Sequence, residues 1–350
     1  MLSNGKSPIP KDRTPIGRRF LSYLAGHATA WAIDGAMCAT MYAIQRRHRL
    51  NSESKAALAC YISECKGLSR SDYFAVTPPE ALIAEANGAA GRVTWQSPIR
   101  TAFPKNDRVH VDLFPCAQGW KAPTVLLLHS LMSTSDTGYR QWAARFNRNG
   151  WNACFIHLPF HYSRTPPNHF NGELAITADL IRTAEGLRQG VSELRQLMAL
   201  LRTWGCTRFG MWASSYGGWI GALLASVEVD FRFVILMEPI VDVEHAIWKS
   251  PAGAALRVEL RACEIDHAVV EHHFHLTSPL HGEPLCEPGE VLLVAGEYDR
   301  VAPATQIAQL HAKWNGSMLL HVPQGHFGYK MMPTAWQWLR EQNIIESKAK

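Results

Sequence analysis

From residue 124 onward, apolar residues form short continuous runs with a helical pattern between them. Apolar runs of about four to eight residues are typical of strands buried on both faces, as in parallel sheets flanked by helices. Between the second and third run, apolar residues recur at helical spacing from Leu180 to Leu201, which predicts a helix packed against the sheet. The runs that predict strands are 124–128, 153–158, 208–212, 231–237, 291–295 and 317–322.

The earlier part of the chain shows two further patterns. Residues 92–101 and 108–114 alternate between apolar and polar positions, and the turn sequence 104–107 joins them, so we predict two strands. The chain before these strands has helical patterns, and Pro78 and Pro79 stand where a helix would start. The helices predicted in this part are near 20–47, 53–65 and 79–87.

Residues 240–289 interrupt the alternation of strands and helices with a segment rich in His, Glu and Pro. A segment of about 50 residues is too long for a simple connection between core strands, so we predict a cap over the strand ends. The rest forms an α/β core at 91–239 and 290–350, with a doubly wound, mostly parallel sheet of about eight strands. Residues 1–90 are predicted to form an N-terminal tail and helical extension.

The composition narrows the class of protein. With 350 residues, 47% hydrophobic and 19% charged, the chain can bury a large core, which excludes a disordered protein, a coiled coil and a collagen-like rod. The formal net charge of +5 is spread along the chain, so no nucleic-acid partner is expected. The eight cysteines form no CxxC pair, which indicates buried thiols in a reducing compartment, and we expect a cytoplasmic location.

Residues 20–44 leave the location of the N-terminal segment open. The stretch is long enough to cross a bilayer and is flanked by arginines. Asp34 stands in its middle, where a carboxylate costs about 2.5–3.5 kcal/mol on insertion, so we predict a helix packed on the protein. Two alternatives remain open: a helix in peripheral contact with a membrane, and an export signal that ends near the cleavage-like sequence 28–30.

A serine stands at the junction of a predicted strand and a predicted helix. Ser215 has Ala213 two residues before it and Gly217 two residues after it, whereas Ser214 has large neighbours at the same spacings. A sharp strand-to-helix turn that raises a nucleophilic serine needs small residues at these two positions, because the backbone there is crowded. The helix N-terminus behind such a serine also favours a developing negative charge. The alternative is a glycine-rich turn with an incidental serine.

An acid and a histidine follow the serine along the chain, in the order that accompanies a serine on a strand-to-helix turn of this kind. Asp299 lies just after the strand at 291–295, and His326 lies after the last strand. We predict that both face the same sheet edge as Ser215. Asp242, after the strand at 231–237, is the alternative acid, as is Glu244, and His321 lies within a strand and is interpreted as structural.

These residues resemble those of α/β-hydrolase-fold serine hydrolases of the esterase and lipase type. The resemblance runs from about residue 92 to the C-terminus, and the loop at 158–166 is also similar to the loop after the fourth strand in α/β-hydrolase-domain proteins. It departs from the family at Ala213 and Ser130, where the family usually has glycine. The motifs that carry it are 129–131, 213–218, 296–303 and 325–328.

The resemblance implies a mechanism and an oxyanion hole. Ser215 would be the nucleophile, His326 the general base and Asp299 the acid that orients the imidazole. The backbone N–H groups of Tyr216 and Leu131 would bind the oxyanion. The expected activity is hydrolysis of a small-molecule or lipid ester without a cofactor. A peptidase or amidase with the same triad, and a catalytically silent scaffold, are the alternatives.

Four further residues are predicted to line a substrate pocket. They follow the strands that end near the serine, and their side chains are polar or aromatic, although His161 could instead bond to the backbone. The cluster at 271–275 contains three histidines, but neighbouring histidines on a helix point in different directions, so no metal is expected. The candidate pocket residues are His129, Ser130, His161 and Trp219.

Overall fold

A nine-stranded sheet forms the centre of the protein. The computed structural model describes residues 16–79, 82–87 and 90–345. The strand order is β1-β2-β3-β5-β4-β6-β7-β8-β9, in which β1, β2, β3 and β5 pair antiparallel and the remaining pairs are parallel. The strands are β1 Ile83–Asn87, β2 Ala90–Gln96, β3 Arg108–Phe114, β4 Thr124–Leu128, β5 Asn152–Ile156, β6 Phe209–Ser214, β7 Phe231–Met237, β8 Val291–Gly296 and β9 Met318–Val322.

The first edge strand corrects the sequence prediction. Residues 79–87 are predicted to be helical, but Ile83–Asn87 forms β1, which pairs antiparallel with β2 from Ile83 opposite Thr94 to Asn87 opposite Ala90. Alanine and glutamate in this segment favour a helix locally, and pairing with a neighbouring strand overrides that weak preference. The sheet therefore has nine strands.

Helices cover both faces of the sheet. The eight strands other than β1 and the long helix on 180–203 lie where the apolar pattern places them. The helices are α1 Ile16–Gln45, α2 Ser54–Cys65, α3 Arg70–Tyr73, α4 Thr137–Asn147, α5 Leu180–Thr203, α6 Tyr216–Ala225, α7 Val243–Trp248, α8 Ala254–Ala262, α9 His267–Val270, α10 Phe274–Thr277, α11 Ala304–Lys313 and α12 Met331–Glu341.

Alternating side chains of the central parallel strands join two separate cores. In β4, Val125 and Leu127 pack into the core with α4 and α12, while Leu126 and Leu128 pack into the core with α5 and α6. A parallel strand covered on both faces must be apolar on both faces, which explains the continuous apolar runs.

A buried ion pair holds the loop after β5 against α5. Arg164 and Glu193 are both fully buried, and two guanidinium nitrogens lie 2.6 and 2.8 Å from the two carboxylate oxygens. Arg164 also donates to the backbone carbonyl of Asn106. The pairing and the additional hydrogen bonds offset the cost of burying two charges. This is the structural role of the arginine in the loop at 158–166.

The N-terminal helix lies on the protein, as predicted from Asp34 in the middle of its apolar run. At the end of α1, Arg47 and His48 contact Glu173, and Arg49 contacts Glu259 of α8. In the part of the chain that the structure describes, no helix has the length and apolarity that a membrane span requires.

Residues 240–289 fold into four short helices, α7 to α10, with 3₁₀ turns before α8 and before α10. The segment is tied to the core by hydrogen bonds such as those from the Ser250 hydroxyl to the carbonyl of Val301 and from the Leu285 N–H to the carbonyl of Ala225. It follows β7 directly, so it lies at the carboxyl ends of the parallel strands. Its boundary as a separate cap stays a prediction.

Candidate active site

Ser215 occupies a strained turn between β6 and α6. Its backbone has φ 51° and ψ −113°, in the region of positive φ that residues with a side chain rarely adopt. Gly217 allows this turn, because a Cβ at that position would lie 2.6 Å from the carbonyl oxygens of Leu128 and His129. The local sequence therefore has the geometry that the G-x-S-x-G pattern requires.

The structure brings Ser215, His326 and Asp299 into one hydrogen-bonded row. The Ser215 Oγ lies 2.8 Å from His326 Nε2, and His326 Nδ1 lies 2.7 Å from Asp299 Oδ2. The other carboxylate oxygen of Asp299 accepts the backbone N–H groups of Val301 and Ala302 at 2.7 and 2.8 Å. With the imidazole proton on Nδ1, Nε2 is free to accept the serine proton.

The alternative acids lie elsewhere. Asp242 caps α7, where its Oδ1 accepts the backbone N–H of His245 at 3.1 Å. Glu244 is partly exposed and pairs with Lys249 at 3.2 Å. Neither is a hydrogen-bond partner of His326.

Two backbone N–H groups are available beside the serine. Tyr216 begins α6, and the first N–H groups of a helix have no acceptor within the helix. In the loop after β4, the Ser130 N–H donates to Tyr139 and the Met132 N–H donates to His161 Nε2. Across the described residues, the N–H of Leu131 between them has no hydrogen-bond acceptor, and Leu131 lines the same cavity as Ser215. An oxyanion hole formed by the N–H groups of Tyr216 and Leu131 stays a prediction.

Two of the four predicted pocket residues do not line the cavity, which corrects the sequence prediction. His129 is fully buried, donates from Nδ1 to the carbonyl of Ser130 and accepts the Leu158 N–H at Nε2. His161 donates from Nδ1 to the carbonyl of Pro159 and holds the loop after β4 through its Nε2. Burial lowers the pKa of His129 well below its usual value and that of His161 to about 4, so both rings are neutral.

The other two predicted pocket residues, Ser130 and Trp219, do line the cavity. The Ser130 hydroxyl donates to the Ser214 hydroxyl at 3.1 Å, so the serine that replaces the family's glycine has a defined partner. The Trp219 indole donates to the carbonyl of Thr277 at 2.7 Å and thereby joins α6 to α10.

Glu238 is a site residue that the sequence analysis missed. It directly follows β7, has φ 44° and is buried, and its Oε1 lies 3.4 Å from the Ser214 hydroxyl. In the described part of the chain its Oε2 has no hydrogen-bond partner. Burial raises the pKa of Glu238 to about 8. The sequence does carry a signal for it, since Glu238 is an acidic residue directly after the apolar strand that Asp242 also follows.

Asp34 is a second missed residue, because its place in an apolar helix suggested only that α1 does not cross a membrane. Its carboxylate is buried and accepts the backbone N–H of His326 at 3.1 Å and that of Arg300 at 3.3 Å. It therefore lies beside both loops that carry the histidine and the acid.

Three carboxylates set the proton affinity of the histidine. Burial by itself would lower the pKa of His326, but the Asp299 carboxylate, helped by Glu238 and Asp34, raises it to about 9. The neutral imidazole that can act as a base therefore accumulates at alkaline pH.

One group of metal-type ligands exists within the described residues. Atoms of Glu238, Asp299 and His326 lie within 4.8 Å of one another. Within this group, Asp299 and His326 are hydrogen-bonded to each other at 2.7 Å. The histidines of the cluster at 271–275 are not part of it.

A cavity of about 420 Å³ opens beside Ser215 and His326. Its walls are mostly apolar and come from α1, α2, α5 and the segment 240–289 as well as from the loops of the core. The N-terminal extension is therefore part of the site. The residues from α1 and α2 are Met37, Met41, Gln45, Leu58, Tyr61 and Ile62.

Solved structures of two acetyl xylan esterases superpose on the chain. The enzyme from Paenibacillus sp. R4 matches 85% of this chain and 98% of its own, with a TM-score of 0.56 and 10% identity. The enzyme from Thermoanaerobacterium sp. JW/SL YS485 matches 81% of this chain and 93% of its own, with a TM-score of 0.53 and 16% identity. Together with the strand order, these likenesses show that the chain has the α/β-hydrolase fold.

Similarity in sequence is more limited. No protein-family model matches the chain. An uncharacterized protein of Mycobacterium tuberculosis strain H37Rv is 27% identical over 205 residues, which are 55% of this chain and 45% of that protein. A protein of strain CDC 1551 matches to the same extent. The chain thus spans about half the length of the curated relatives it matches.

Proposed function

We propose that this protein is a serine hydrolase that cleaves a carboxylic ester through an acyl-enzyme intermediate. The observation that carries the proposal is the row of hydrogen bonds at 2.8 and 2.7 Å that joins Ser215, His326 and Asp299. A serine placed on a strained turn beside a buried, oriented imidazole is a group prepared for nucleophilic attack. The fold alone does not specify this activity, since many functions share it.

The reaction proceeds in two halves. Ser215 Oγ attacks the ester carbonyl carbon while His326 Nε2 takes its proton, and the oxyanion receives hydrogen bonds from the N–H groups of Tyr216 and Leu131. The C–O bond to the alcohol then breaks, and His326 returns the proton to the leaving oxygen. A water molecule repeats the attack on the acyl-enzyme with His326 as base, which releases the carboxylic acid. Asp299 keeps the proton on Nδ1 and stabilises the imidazolium in both halves.

An ester is the preferred substrate on two grounds. Two solved proteins of this fold are acetyl xylan esterases by name, so the fold accommodates ester cleavage. The cavity beside the serine is mostly apolar, whereas a peptidase also has to hold the polar backbone of its substrate. The experiment below distinguishes ester cleavage from amide cleavage by the same residues.

Labelling with a fluorophosphonate probe tests the proposal. The probe reacts with an activated serine, because the base removes the serine proton, the oxyanion hole stabilises the adduct and fluoride leaves. We expect one probe per chain, loss of labelling in Ser215→Ala, and at least partial labelling in Ser214→Ala. The same proteins are assayed on p-nitrophenyl esters and on matched p-nitroanilides. A folded protein that takes up no probe between pH 6 and 10 and cleaves no ester supports the scaffold alternative instead.

A further inference from the structure

The cavity beside Ser215 has a chemical character that restricts the substrate. Its lining, as far as the structure describes it, contains no lysine, arginine or aspartate, and its only titratable acid or histidine side chains are Glu238, His273 and His326. His326 is the proposed base, so it belongs to the reaction rather than to recognition of the acyl group.

The two remaining titratable side chains are uncharged near neutral pH. Burial raises the pKa of Glu238 to about 8, so the carboxylic acid is mostly protonated at pH 7. Burial lowers the pKa of His273 to about 4, so its imidazole is neutral, and it packs against the rings of Tyr61 and Tyr73. Apart from His326, whose charge is already paired with Asp299, no side chain of the described lining could therefore neutralise a charge on a bound substrate, and an unpaired buried charge is costly.

The size of the cavity excludes a very small acyl group as the best fit. A volume of about 420 Å³ lies in the range of roughly 300–1,000 Å³ that encloses drug-sized ligands. Apolar side chains line this volume, among them Met41 of α1, Leu58 of α2, Leu187 of α5 and Phe274 of α10. An acetyl group would leave most of this surface without a partner.

We infer that the site takes esters of uncharged, apolar acyl groups considerably longer than acetyl, and that the N-terminal helices α1 and α2 form part of the acyl-binding wall. This inference rests on the proposed function, because it assigns the cavity to the acyl group that Ser215 would carry. Each methylene that enters an apolar cavity gains about 0.8 kcal/mol, which is about fourfold in kcat/KM.

Two comparisons test the substrate class without any substitution. Between p-nitrophenyl acetate and p-nitrophenyl octanoate, kcat/KM should rise at least about 100-fold, given about fourfold per buried methylene. The p-nitrophenyl monoester of suberic acid has the same chain length as the octanoate but ends in a carboxylate, and its kcat/KM should be at least about 100-fold lower than that of the octanoate because the charge finds no partner.

A variant that fills the cavity with a larger side chain, together with a matched control, tests the inference further. Ala184 of α5 lines the cavity, and Ala184→Phe should remove the preference for octanoate while fluorophosphonate labelling of Ser215 persists. Ala199→Phe makes the same change on the same helix outside the cavity lining and should keep the preference.

The outcomes separate this inference from the proposed function. Ser215-dependent cleavage with equal kcat/KM for acetate and octanoate, or with equal kcat/KM for octanoate and suberate, overturns the inference and leaves the serine hydrolase intact. Absence of both labelling and cleavage overturns the proposed function itself. If Ala184→Phe does not fold, the two substrate comparisons still decide.

A separate observation concerns the contact between α1 and the loops that carry His326 and Asp299. Asp34 is 1% exposed and accepts the backbone N–H groups of Arg300, His326 and Phe327 at 3.1–3.4 Å. The helix lies close enough to the histidine loop that a Cβ on Gly325 would be 2.8 Å from the Cβ of Ala30.

Helix α1 also contacts the loop that carries Asp299 through the side chain of Trp31. The guanidinium of Arg300 lies over the ring of Trp31 at 5.3 Å from its centre. One helix, far away in sequence, thus touches the backbone on both sides of the His326–Asp299 hydrogen bond. The geometry points to Asp34 as a positioning residue that keeps His326 and Asp299 in register for proton transfer.

The variant Asp34→Asn tests this role, because asparagine has nearly the same shape but no charge. Both oxygens of Asp34 accept backbone N–H groups, and the NH2 group of asparagine cannot, so we expect the two loops to shift. A misplacement of about 1 Å at a reacting group can cost about 10²-fold, so kcat should fall by about that factor with little change in KM. The charged groups that face His326 are Asp299, Glu238 and Asp34. Removal of the Asp34 charge lowers the pKa of His326, so the pH at which labelling is half-maximal should also move down.

Asp179→Asn is the matched control, since Asp179 caps α5 through the N–H of Arg182 outside the cavity. It should leave kcat and the pH midpoint unchanged. A folded Asp34→Asn protein with the kcat and midpoint of the parent overturns the role, and so does a loss that merely follows a lowered melting temperature.

If Asp34→Asn does not fold, Asp34→Glu decides, because it retains the charge and displaces the carboxylate by one methylene. It should lower kcat at an unchanged pH midpoint, and an unchanged kcat overturns the role.

Discussion

At the residue scale, the backbone conformation of Ser215 depends on its neighbours in sequence, whereas the carboxylates around His326 are brought together by the fold. The turn at Ser215 depends on residues within two positions, because Gly217 prevents a clash with the carbonyl oxygen of Leu128. The carboxylates of Asp34, Glu238 and Asp299 meet at one histidine from three distant parts of the chain. Substitutions at these acids therefore report on the tertiary arrangement rather than on local structure.

Asp299→Asn should keep the fold and lower kcat by about 10⁴-fold, as the same change does in a serine protease triad. Asparagine can donate to Nδ1 and so stabilises the tautomer that cannot accept the serine proton. Steady-state kinetics on a p-nitrophenyl ester measures the loss. Asp242→Asn serves as the control, because Asp242 caps α7. If Asp242→Asn causes this loss and Asp299→Asn does not, the assignment of the acid is wrong.

Glu238→Gln should move the pH dependence of serine labelling to lower pH. With the pKa of His326 raised to about 9, the labelling rate of the parent protein should be half-maximal near pH 9. Glutamine removes a negative charge beside the imidazole, so the pKa of His326 falls and the neutral base forms at lower pH. Labelling rates between pH 6 and 10 give both midpoints. The control Glu244→Gln, at a partly exposed position paired with Lys249, should leave the midpoint unchanged. An unmoved or raised midpoint in Glu238→Gln contradicts the prediction.

At the scale of elements, the cavity beside Ser215 lies between the α/β core, the segment 240–289 and the helices α1 and α2. Residues of α7, α8 and α10 line it from the side of the segment, and α1 and α2 line it from the N-terminal side. Neither element alone closes the cavity. A change in one of them should alter substrate choice more than it alters the reaction at Ser215.

Shortening the segment 250–280 should change chain-length preference more than it changes cleavage of an acetate ester. Residues of the segment line the cavity beside Ser215, so we expect it to contact long acyl groups but not an acetyl group held at the serine. Phe274→Ala is the smaller form of this change and should move the best substrate to a longer chain, at a cost of about 3–5 kcal/mol in the free energy of unfolding. An equal loss on all esters by a folded variant contradicts a selective role for the segment.

At the scale of the whole molecule, the eight cysteines are free thiols and six of them are buried. Cys60 is exposed and Cys263 is partly exposed. Burial raises the pKa of Cys38 and raises that of Cys286 to about 12, which disfavours the reactive thiolate. The cysteines thus contribute to packing, and no disulfide joins them in the structure of the described residues.

Titration with a thiol reagent should show this distribution. In the folded protein, Cys60 should react first and Cys263 more slowly, and all eight thiols should become available in denaturant. Cys60→Ser should remove the fast phase. Fewer than eight thiols in freshly purified, denatured protein would contradict the free-thiol state and, with it, the expectation of a reducing compartment.

Most of the sheet, the long helix α5 and the turn at Ser215 could be predicted from the sequence by itself. Strands buried on both faces, amphipathic helices and sharp turns leave periodic or steric signals within a few residues, and the order of Ser215, Asp299 and His326 follows from the strands that precede them. The strand Ile83–Asn87 was missed, because its local composition favours a helix and only pairing with β2 makes it a strand.

The tertiary structure alone decided which side chains complete the site. Asp34 reaches the N–H of His326 across 292 residues of sequence, and a lone acid in an apolar helix carries no signal of that contact. The position of Glu238 beside Asp299 and His326 likewise depends on contacts between distant segments. His129 and His161 bond to the backbone because buried imidazoles need partners for both nitrogens. Local sequence determines which conformations a segment prefers, whereas contacts between distant segments depend on how the whole chain packs.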